Sequence, residues 1–340
     1  MDDTLNVLIL ADFSDAIMDR LRLVSPRLKF TRRVARAAGD IPRDVWAATD
    51  ILYTTRALPD PDVALRLRWV QAHFAGVDAL IDHPLFQNPD LLLTTASGIH
   101  ASTLAEYSFA MILAFARKIP LMLRLQQKAE WPDDRFNLLM PRELRGSTIG
   151  IVGYGSIGRA IGRLGRAFGM TVLATKRNAK DPTAGNEYEE AGVGDPEGEC
   201  LDRLYPPEAI RSMVSACDFV VVTLPLTSET RGAIGAEVLA AMKPTAVLVN
   251  VARGGVVDED ALIKALQSRQ IGGAALDVYA QEPLPADSPL WKLDTVIMSP
   301  HIGGNTARYN ELAADVFIQN LERYLERREL LNRVDLKRGY

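Results

Sequence analysis

The chain has 340 residues, close to half of them apolar and a quarter charged, with a formal net charge of -4. That length suffices for two domains with buried cores, and the composition is that of an ordinary globular protein rather than a fibrous, disordered or membrane-spanning one. No basic run supplies a nucleic-acid footprint, and the two cysteines, Cys200 and Cys217, lack metal-ligand spacing and read as free thiols of a reducing, cytoplasmic setting.

The N-terminal stretch MDDTLNVLILADF turns strand-like at once and does not read as a signal peptide. Apolar runs at 7–10, 50–55, 69–74 and 91–96 read as strands of one α/β unit. Residues 104–123, LAEYSFAMILAFARKIPLML, form the most apolar long segment. Glu106, Arg117, Lys118 and Pro120 break the charge-free run of a membrane span, so the segment reads as one buried or interface helix, and no membrane partner is expected. A second set of strands follows at 148–153, 171–175, 219–224, 246–251, 272–278 and 295–300. Continuous apolar runs separated by helical patterns argue for parallel sheets covered on both faces. Residues 180–203 are rich in Gly and acid, lack apolar periodicity, and read as a surface insertion. Residues 310–331 are amphipathic, with Leu312, Val316, Leu321, Tyr324 and Leu325 near one stripe, and should pack on a larger body.

Within the second set, residues 148–169 read TIGIVGYGSIGRAIGRLGRAFG. The core, Gly153-Tyr154-Gly155-Ser156-Ile157-Gly158, is a GxGxxG with a strand before it and a helix and strand after it, the context of a dinucleotide site. Gly153 permits the tight turn, Gly155 lets backbone approach a pyrophosphate, and Gly158 lets helix and strand sit close. The helix N-terminus offers free N–H groups to the phosphates. At the end of the next strand an acid would accept from a ribose 2′-OH and suggest NAD. This chain has Thr175-Lys176-Arg177-Asn178 there. Lys176 and Arg177 can neutralise a 2′-phosphate, so NADP(H) is favoured and NAD(H) is the alternative.

Three ionisable residues stand at strand ends or just beyond: Arg253 after AVLVNVA, Glu282 in LDVYAQEPLP, and His301 after TVIMSP. In an open α/β sheet, ligands bind at the carboxyl ends of strands. Arginine clamps a carboxylate, histidine exchanges a proton near neutral pH, and a carboxylate beside the histidine fixes its tautomer and favours its protonated form. Gly254 and Gly255 are expected to let the turn after Arg253 pass close to a substrate. Among the other histidines, His100 and His83 read as structural and surface residues, and His73 as a neighbour of the 75–76 turn.

The chain resembles the D-isomer-specific 2-hydroxyacid dehydrogenase family over nearly its whole length. The resemblance is carried by QAHFAGVD (71–78), TTASGIHASTLAEYSFAMIL (94–113), LRGSTIGIVGYGSIGR (144–159), VVTLPLTSETRGAIG (221–235), MKPTAVLVNVARGGVVDEDALIKAL (242–266), GGAALDVYAQEPLP (272–285) and SPHIGGNT (299–306). It implies two doubly wound α/β domains: a flavodoxin-like substrate domain at 1–101 and 307–340, and an inserted Rossmann cofactor domain at 102–306. It implies hydride transfer between a nicotinamide cofactor and a small 2-oxo or D-2-hydroxy acid, with glyoxylate or hydroxypyruvate the reference substrates.

By the same resemblance, Arg253 binds the substrate carboxylate and 2-oxo oxygen, His301 is the acid/base, and Glu282 pairs with it. Backbone amides of Ala75 and Gly76 hold the other side of the carboxylate. Thr103 lies near the nicotinamide and Asp277 binds its carboxamide. Leu224, Pro225 and Thr230 line the adenosine side, Val251 and Ala252 pass the nicotinamide ribose, and Arg253, His301 and Gly303 complete the cofactor contacts. The segment 104–125 is implied to support a homodimer interface, and the segment around Trp131 reaches a neighbouring subunit in some members. No metal is implied. Formate dehydrogenases share the fold but carry Gln where Glu282 stands, and the dinucleotide-sensing corepressors of this fold keep the Arg–Glu–His set. Two departures mark this chain: Lys176 replaces the strand-end acid, and the linker after it, through 203, is longer than the family pattern needs; elsewhere Thr223 stands where many members have His.

Overall fold

The computed structural model describes residues 4–77, 80–336 and 338. The chain divides into two compact units. One is Met1–Ile99, Gly185–Glu189 and Thr306–Tyr340, the other His100–Ala184 and Glu190–Asn305.

In the first unit, five parallel strands are β1 (Leu5–Ile9), β2 (Leu28–Arg32), β3 (Ile51–Thr54), β4 (Trp69–Ala72) and β5 (Leu92–Thr94), in the order β2-β1-β3-β4-β5. That is the flavodoxin-like winding. Side chains alternate across a strand, so Leu8, Leu52 and Val70 enter one core with Trp46 and Phe86. Ile9, Tyr53 and Trp69 enter the opposite one with Phe13, Leu21, Phe317 and Leu321. The last two residues come from the C-terminal helix Tyr309–Leu325, which buries Leu312, Val316 and Leu321 of the expected stripe and half-buries Tyr324 and Leu325. A buried polar chain fastens it. Asn320 Nδ2 donates to Gln71 Oε1 (3.2 Å), Thr94 Oγ1 donates to the same oxygen (2.7 Å), and Trp69 Nε1 donates to Thr94 Oγ1 (2.7 Å).

In the second unit, seven parallel strands are β6 (Thr148–Val152), β7 (Thr171–Thr175), β8 (Arg203–Tyr205), β9 (Phe219–Val222), β10 (Val247–Asn250), β11 (Gly273–Leu276) and β12 (Val296–Met298). Their order is β12-β11-β10-β9-β6-β7-β8. The winding reverses between β6 and β9, a Rossmann-type switch point. One face carries Ile149, Ile151, Val221 and Val249 against Phe109, Ile112 and Ile161, and the other carries Val220, Val222 and Leu248 against Val238, Leu262 and Leu266.

Two features depart from the sequence reading. Strands β2 and β8, each at a sheet edge, carry no long apolar run, and their residues are mostly exposed or half-exposed. The expected single helix over 104–123 is two, Ala101–Ala116 and Ile119–Gln127, separated at Lys118, whose φ is 59°. Pro120 causes the break: a proline ring clashes with the carbonyl four residues back, here Ala116, unless it lies in a helix's first turn.

The 180–203 insertion is held at several points. In the second unit the buried Asp195 accepts from the Tyr154 hydroxyl (2.6 Å) and the backbone N–H groups of Glu199 and Cys200 (2.9 Å each). In the first unit, Tyr188 is buried beside Leu312, Val316 and Leu331, and its N–H donates to Asn332 Oδ1 (2.9 Å). The insertion is therefore part of two cores rather than a surface appendage.

Candidate active site

The strand ends of the second unit bring the candidate residues onto one rim. At the end of β6, Gly153 has φ 106°, closed to ordinary side chains. A Cβ on Gly158 would lie 2.2 Å from the Gly153 carbonyl oxygen, so only glycine lets the helix Ser156–Ala167 start so close to the strand. A Cβ on Gly155 would meet nothing within 4 Å, leaving open space before the helix's first N–H groups. Ser156, Ile157 and Gly158 contribute those N–H groups, which suit an anion such as a pyrophosphate.

Tyr154 is different. Its ring turns inward and fills the space a side chain at Gly162 would occupy, and its hydroxyl serves Asp195. Burial and that carboxylate push its ionisation upward. Only its backbone can serve a ligand here. Thr223 braces the same turn, donating to the Gly153 carbonyl (2.6 Å), with Leu224 beside it. The Thr230 hydroxyl donates to the Pro225 carbonyl (2.5 Å), shaping the loop after β9.

At the end of β7, Lys176 Nζ donates to the carbonyls of Asp181 (2.8 Å) and Thr183 (2.6 Å), so it anchors the insertion's first turn. Arg177 is exposed next to it.

After β10, the buried Asn250 brackets the turn. Its Oδ1 accepts from Ala252 N (3.1 Å) and its Nδ2 donates to the Arg253 carbonyl (3.3 Å). Val251 and Ala252 are buried and Arg253 is half-buried with an extended backbone. The reason for Gly254 differs from the expectation. A Cβ there would lie 1.9 Å from the carbonyl carbon and oxygen of Tyr279. The glycine makes room for the protein's own chain, the segment that carries Glu282.

Glu282 Oε1 accepts from Tyr279 N (3.0 Å), and Oε2 lies 2.7 Å from His301 Nδ1. A carboxylate only accepts, so Nδ1 carries the proton and Nε2 is left for exchange. The His301 backbone is left-handed, with φ 54°. Its loop is gripped on both sides. Asp277 Oδ1 accepts from Ile302 N and Oδ2 from Gly303 N (2.9 Å each), and Ser299 Oγ donates to Oδ1 (2.6 Å). With two lone pairs per oxygen, three are used and one on Oδ2 remains for a carboxamide N–H.

His100 Nδ1 lies 3.0 Å from the Gly304 carbonyl, and Thr103 Oγ1 is 3.4 Å from the same oxygen. The His100 ring is held below its ordinary ionisation range, chiefly by burial, with the Arg253 and His301 charges adding to the effect. In the first unit, the turn carrying Ala75 and Gly76 follows β4, half-buried. His73 just before it is a core residue, 2.8 Å from the Tyr53 hydroxyl and ringed by Phe74 and Tyr309. His83 caps a short helix through Leu85 N (3.3 Å). Sequence spacing missed Tyr107, Ser299, Thr223 as a brace, and Asp195. Among the described residues, no His, Cys, Asp and Glu cluster could hold a metal ion, and no helix is long and apolar enough to cross a membrane.

Residues 109–303 match the family model for the D-isomer specific 2-hydroxyacid dehydrogenase, NAD binding domain. The chain is 35% identical over 265 residues to a glyoxylate reductase of Pyrococcus furiosus, covering 76% of this chain and 73% of the relative. It is 33% identical over 307 residues to an (S)-sulfolactate dehydrogenase of Chromohalobacter salexigens, covering 90% and 88%. The crystal structure of a D-isomer specific 2-hydroxyacid dehydrogenase from Xanthobacter autotrophicus Py2, in complex with NADPH and MES, is similar with a TM-score of 0.78 at 29% identity, over 99% of this chain and 100% of that one. A nicotinamide-dinucleotide domain with these relatives, and a guanidinium, a carboxylate and an imidazole on its strand ends, make the chain a member of the D-isomer-specific 2-hydroxyacid dehydrogenase family and an NAD(P)-dependent dehydrogenase.

Proposed function

We propose that the protein reduces a small 2-oxo acid to the D-2-hydroxy acid, and catalyses the reverse, with His301 as acid/base and NADP(H) as the preferred cofactor. The observation that carries the reading is the His301–Glu282 pair at 2.7 Å, whose geometry leaves Nε2 as the exchanging atom. The bound nicotinamide supplies or accepts the hydride at C2. Arg253 binds the substrate carboxylate and polarises the 2-oxo oxygen. As negative charge develops on the 2-oxo oxygen, His301 Nε2–H donates its proton there and the ring becomes neutral. Glu282 stabilises the imidazolium beforehand and keeps the remaining proton on Nδ1. In the other direction, Nε2 takes the hydroxyl proton.

The open space at Gly155 and the turn at Gly153 support pyrophosphate binding there, with Leu224, Pro225, Thr230, Val251, Ala252, Thr103, Asp277 and Gly303 around the remainder of the cofactor. The NADP(H) preference is supported by Lys176 and Arg177 where an acid would serve NAD. Lys176 Nζ is held by the carbonyls of Asp181 and Thr183, and Arg177 is exposed beside it. A homodimer is part of the same proposal. Trp131 is 82% exposed and Phe136 72%, with Leu123 and Met140 also exposed nearby in sequence, a density of bare apolar side chains that suits a partner surface. The same reading places the enzyme in the cytoplasm, where free thiols persist.

Initial rates of glyoxylate and hydroxypyruvate reduction, each with NADH and NADPH, test the proposal through absorbance of the reduced cofactor. NADPH-preferring turnover lost in His301→Ala is the expected result. Wild-type turnover in that variant refutes the acid/base role, and better rates with NADH refute the cofactor preference. Cofactor binding without flux across a wider panel of 2-oxo acids points to a corepressor-like binding protein instead.

A further inference from the structure

We propose that Tyr107 and Ser299 are positioning residues for His301, acting through Asp277. The inference rests on His301 being the acid/base. It starts from a chain of three side chains drawn from a helix and two strand ends. The Tyr107 hydroxyl, on the helix Ala101–Ala116, lies 2.5 Å from Ser299 Oγ, and Ser299 Oγ lies 2.6 Å from Asp277 Oδ1.

The direction of each proton follows from chemistry. An ionised Asp277 only accepts, so Ser299 donates to it. The serine has one proton, so Tyr107 must donate to Ser299. Hydrogen bonds in such a chain polarise one another, and the carboxylate at its end is held in one rotamer. Both oxygens of that carboxylate then grip N–H groups of Ile302 and Gly303, the two residues directly after His301 (2.9 Å each).

The grip has a clear task. His301 sits at φ 54°, a conformation a non-glycine residue keeps only where its surroundings over-determine it. Glu282 touches only the ring and sets the tautomer. Asp277 holds the backbone from which the ring projects. Tyr107 also packs under the loop, since a Cβ on Gly303 would lie 2.9 Å from Asp277 Oδ2 and 3.1 Å from Tyr107 Cγ. Burial keeps the Tyr107 hydroxyl protonated well past neutral pH, so it remains a donor throughout the working range.

The test uses the full chain with ¹⁵N-labelled histidine. The protein has four histidines, so the imidazole spectrum is assignable by loss of one signal in His301→Ala. Wild type, Ser299→Ala, Ser299→Thr and Tyr107→Phe are compared by His301 nitrogen shifts, by NADPH dissociation constant and by kcat. The proposal expects Ser299→Ala and Tyr107→Phe to change the His301 tautomer signature and lower kcat about tenfold or more, the scale for a displaced catalytic group. It expects NADPH affinity within about threefold of wild type and recovery in Ser299→Thr, which restores the hydroxyl. Unchanged His301 shifts in Ser299→Ala overturn it, whatever the activity. Equal loss in Ser299→Ala and Ser299→Thr, with cofactor affinity falling in step, also overturns it and leaves a packing role. If the His301 spectrum responds as expected but His301→Ala turns over normally, the acid/base reading falls and the role assigned to Tyr107 and Ser299 falls with it.

Discussion

Replacing Gly254 by alanine places one methyl group where the backbone of Tyr279 already runs. The added Cβ would lie 1.9 Å from the Tyr279 carbonyl atoms, against about 3.4 Å for ordinary contact, so one chain segment must move by about 1.5 Å. The His301–Glu282 pair stands at 2.7 Å and a hydrogen bond of this kind weakens beyond about 3.2 Å, which leaves roughly 0.5 Å of slack. If the Tyr279 segment yields, Glu282 moves with it, because its Oε1 is bonded to Tyr279 N. If the 253–256 turn yields instead, Arg253 moves. Either route displaces a proposed catalytic group by more than its slack. The expected cost is about 1–3 kcal/mol in stability and about 100-fold in kcat/KM. At roughly 2–4 °C per kcal/mol for a unit of this size, Tm falls by about 2–12 °C. Gly255→Ala is the control: its Cβ would meet only the side-chain ends of Leu226 and Arg231 at 3.2–3.3 Å, which can give way. Thermal scans and steady-state kinetics on both variants decide the matter. Wild-type kcat/KM in a folded Gly254→Ala protein would refute the coupling between this glycine and the catalytic pair.

Three further outcomes are expected. Arg177→Ala should raise KM for NADPH about tenfold and leave NADH unchanged, whereas Lys176→Ala should also make residues 180–199 cleavable by limited proteolysis, since it frees the carbonyls of Asp181 and Thr183. Tyr154→Phe should cost about 1–3 kcal/mol in urea unfolding with little effect on kcat, because buried Asp195 loses one of its three donors. For His100, burial favours the neutral ring in the folded state, so the unfolded chain binds the proton more readily and stability is lost as pH falls through about 6.5. Tm measured from pH 7.5 to 5.5 should therefore fall less in His100→Asn than in wild type, and equal slopes would exclude His100 as a source of the acid sensitivity.

The ten strands read from apolar runs are all present, because a strand covered on both faces must be apolar throughout. Strands β2 and β8, mostly exposed or half-exposed, escape that rule and left no such mark. Arg253, Glu282 and His301 were legible because each follows a strand end, where side chains are released from packing. Tyr107 was not, since it lies inside an apolar helical pattern and its partner is 192 residues away. Asp195 looked like one acid among many in a polar segment, and only the fold sets it against the Tyr154 hydroxyl, 41 residues earlier. The Gly254 case shows a residue type read correctly for the wrong neighbour: the need for bare backbone was visible, while the segment requiring it was 25 residues further on.

The buried chain of Gln71, Thr94 and Asn320 has a consequence for the order in which the molecule is made. Domains fold largely as units as the polypeptide leaves the ribosome. Strands β1 to β5 emerge first, yet the helix that covers one face of their sheet starts only at Tyr309, and the segment Gly185–Glu189 comes from the middle of the other unit. The seven-stranded sheet has its last strand by Met298. Of the two units, the one whose strands emerge earlier is thus the one completed later, and until Asn320 arrives Gln71 Oε1 has only the Thr94 hydroxyl as donor and Phe13 and Trp69 lack the Phe317 that closes their core. A nascent chain stalled before residue 309 should expose that face to chaperones, while its second unit is already able to close.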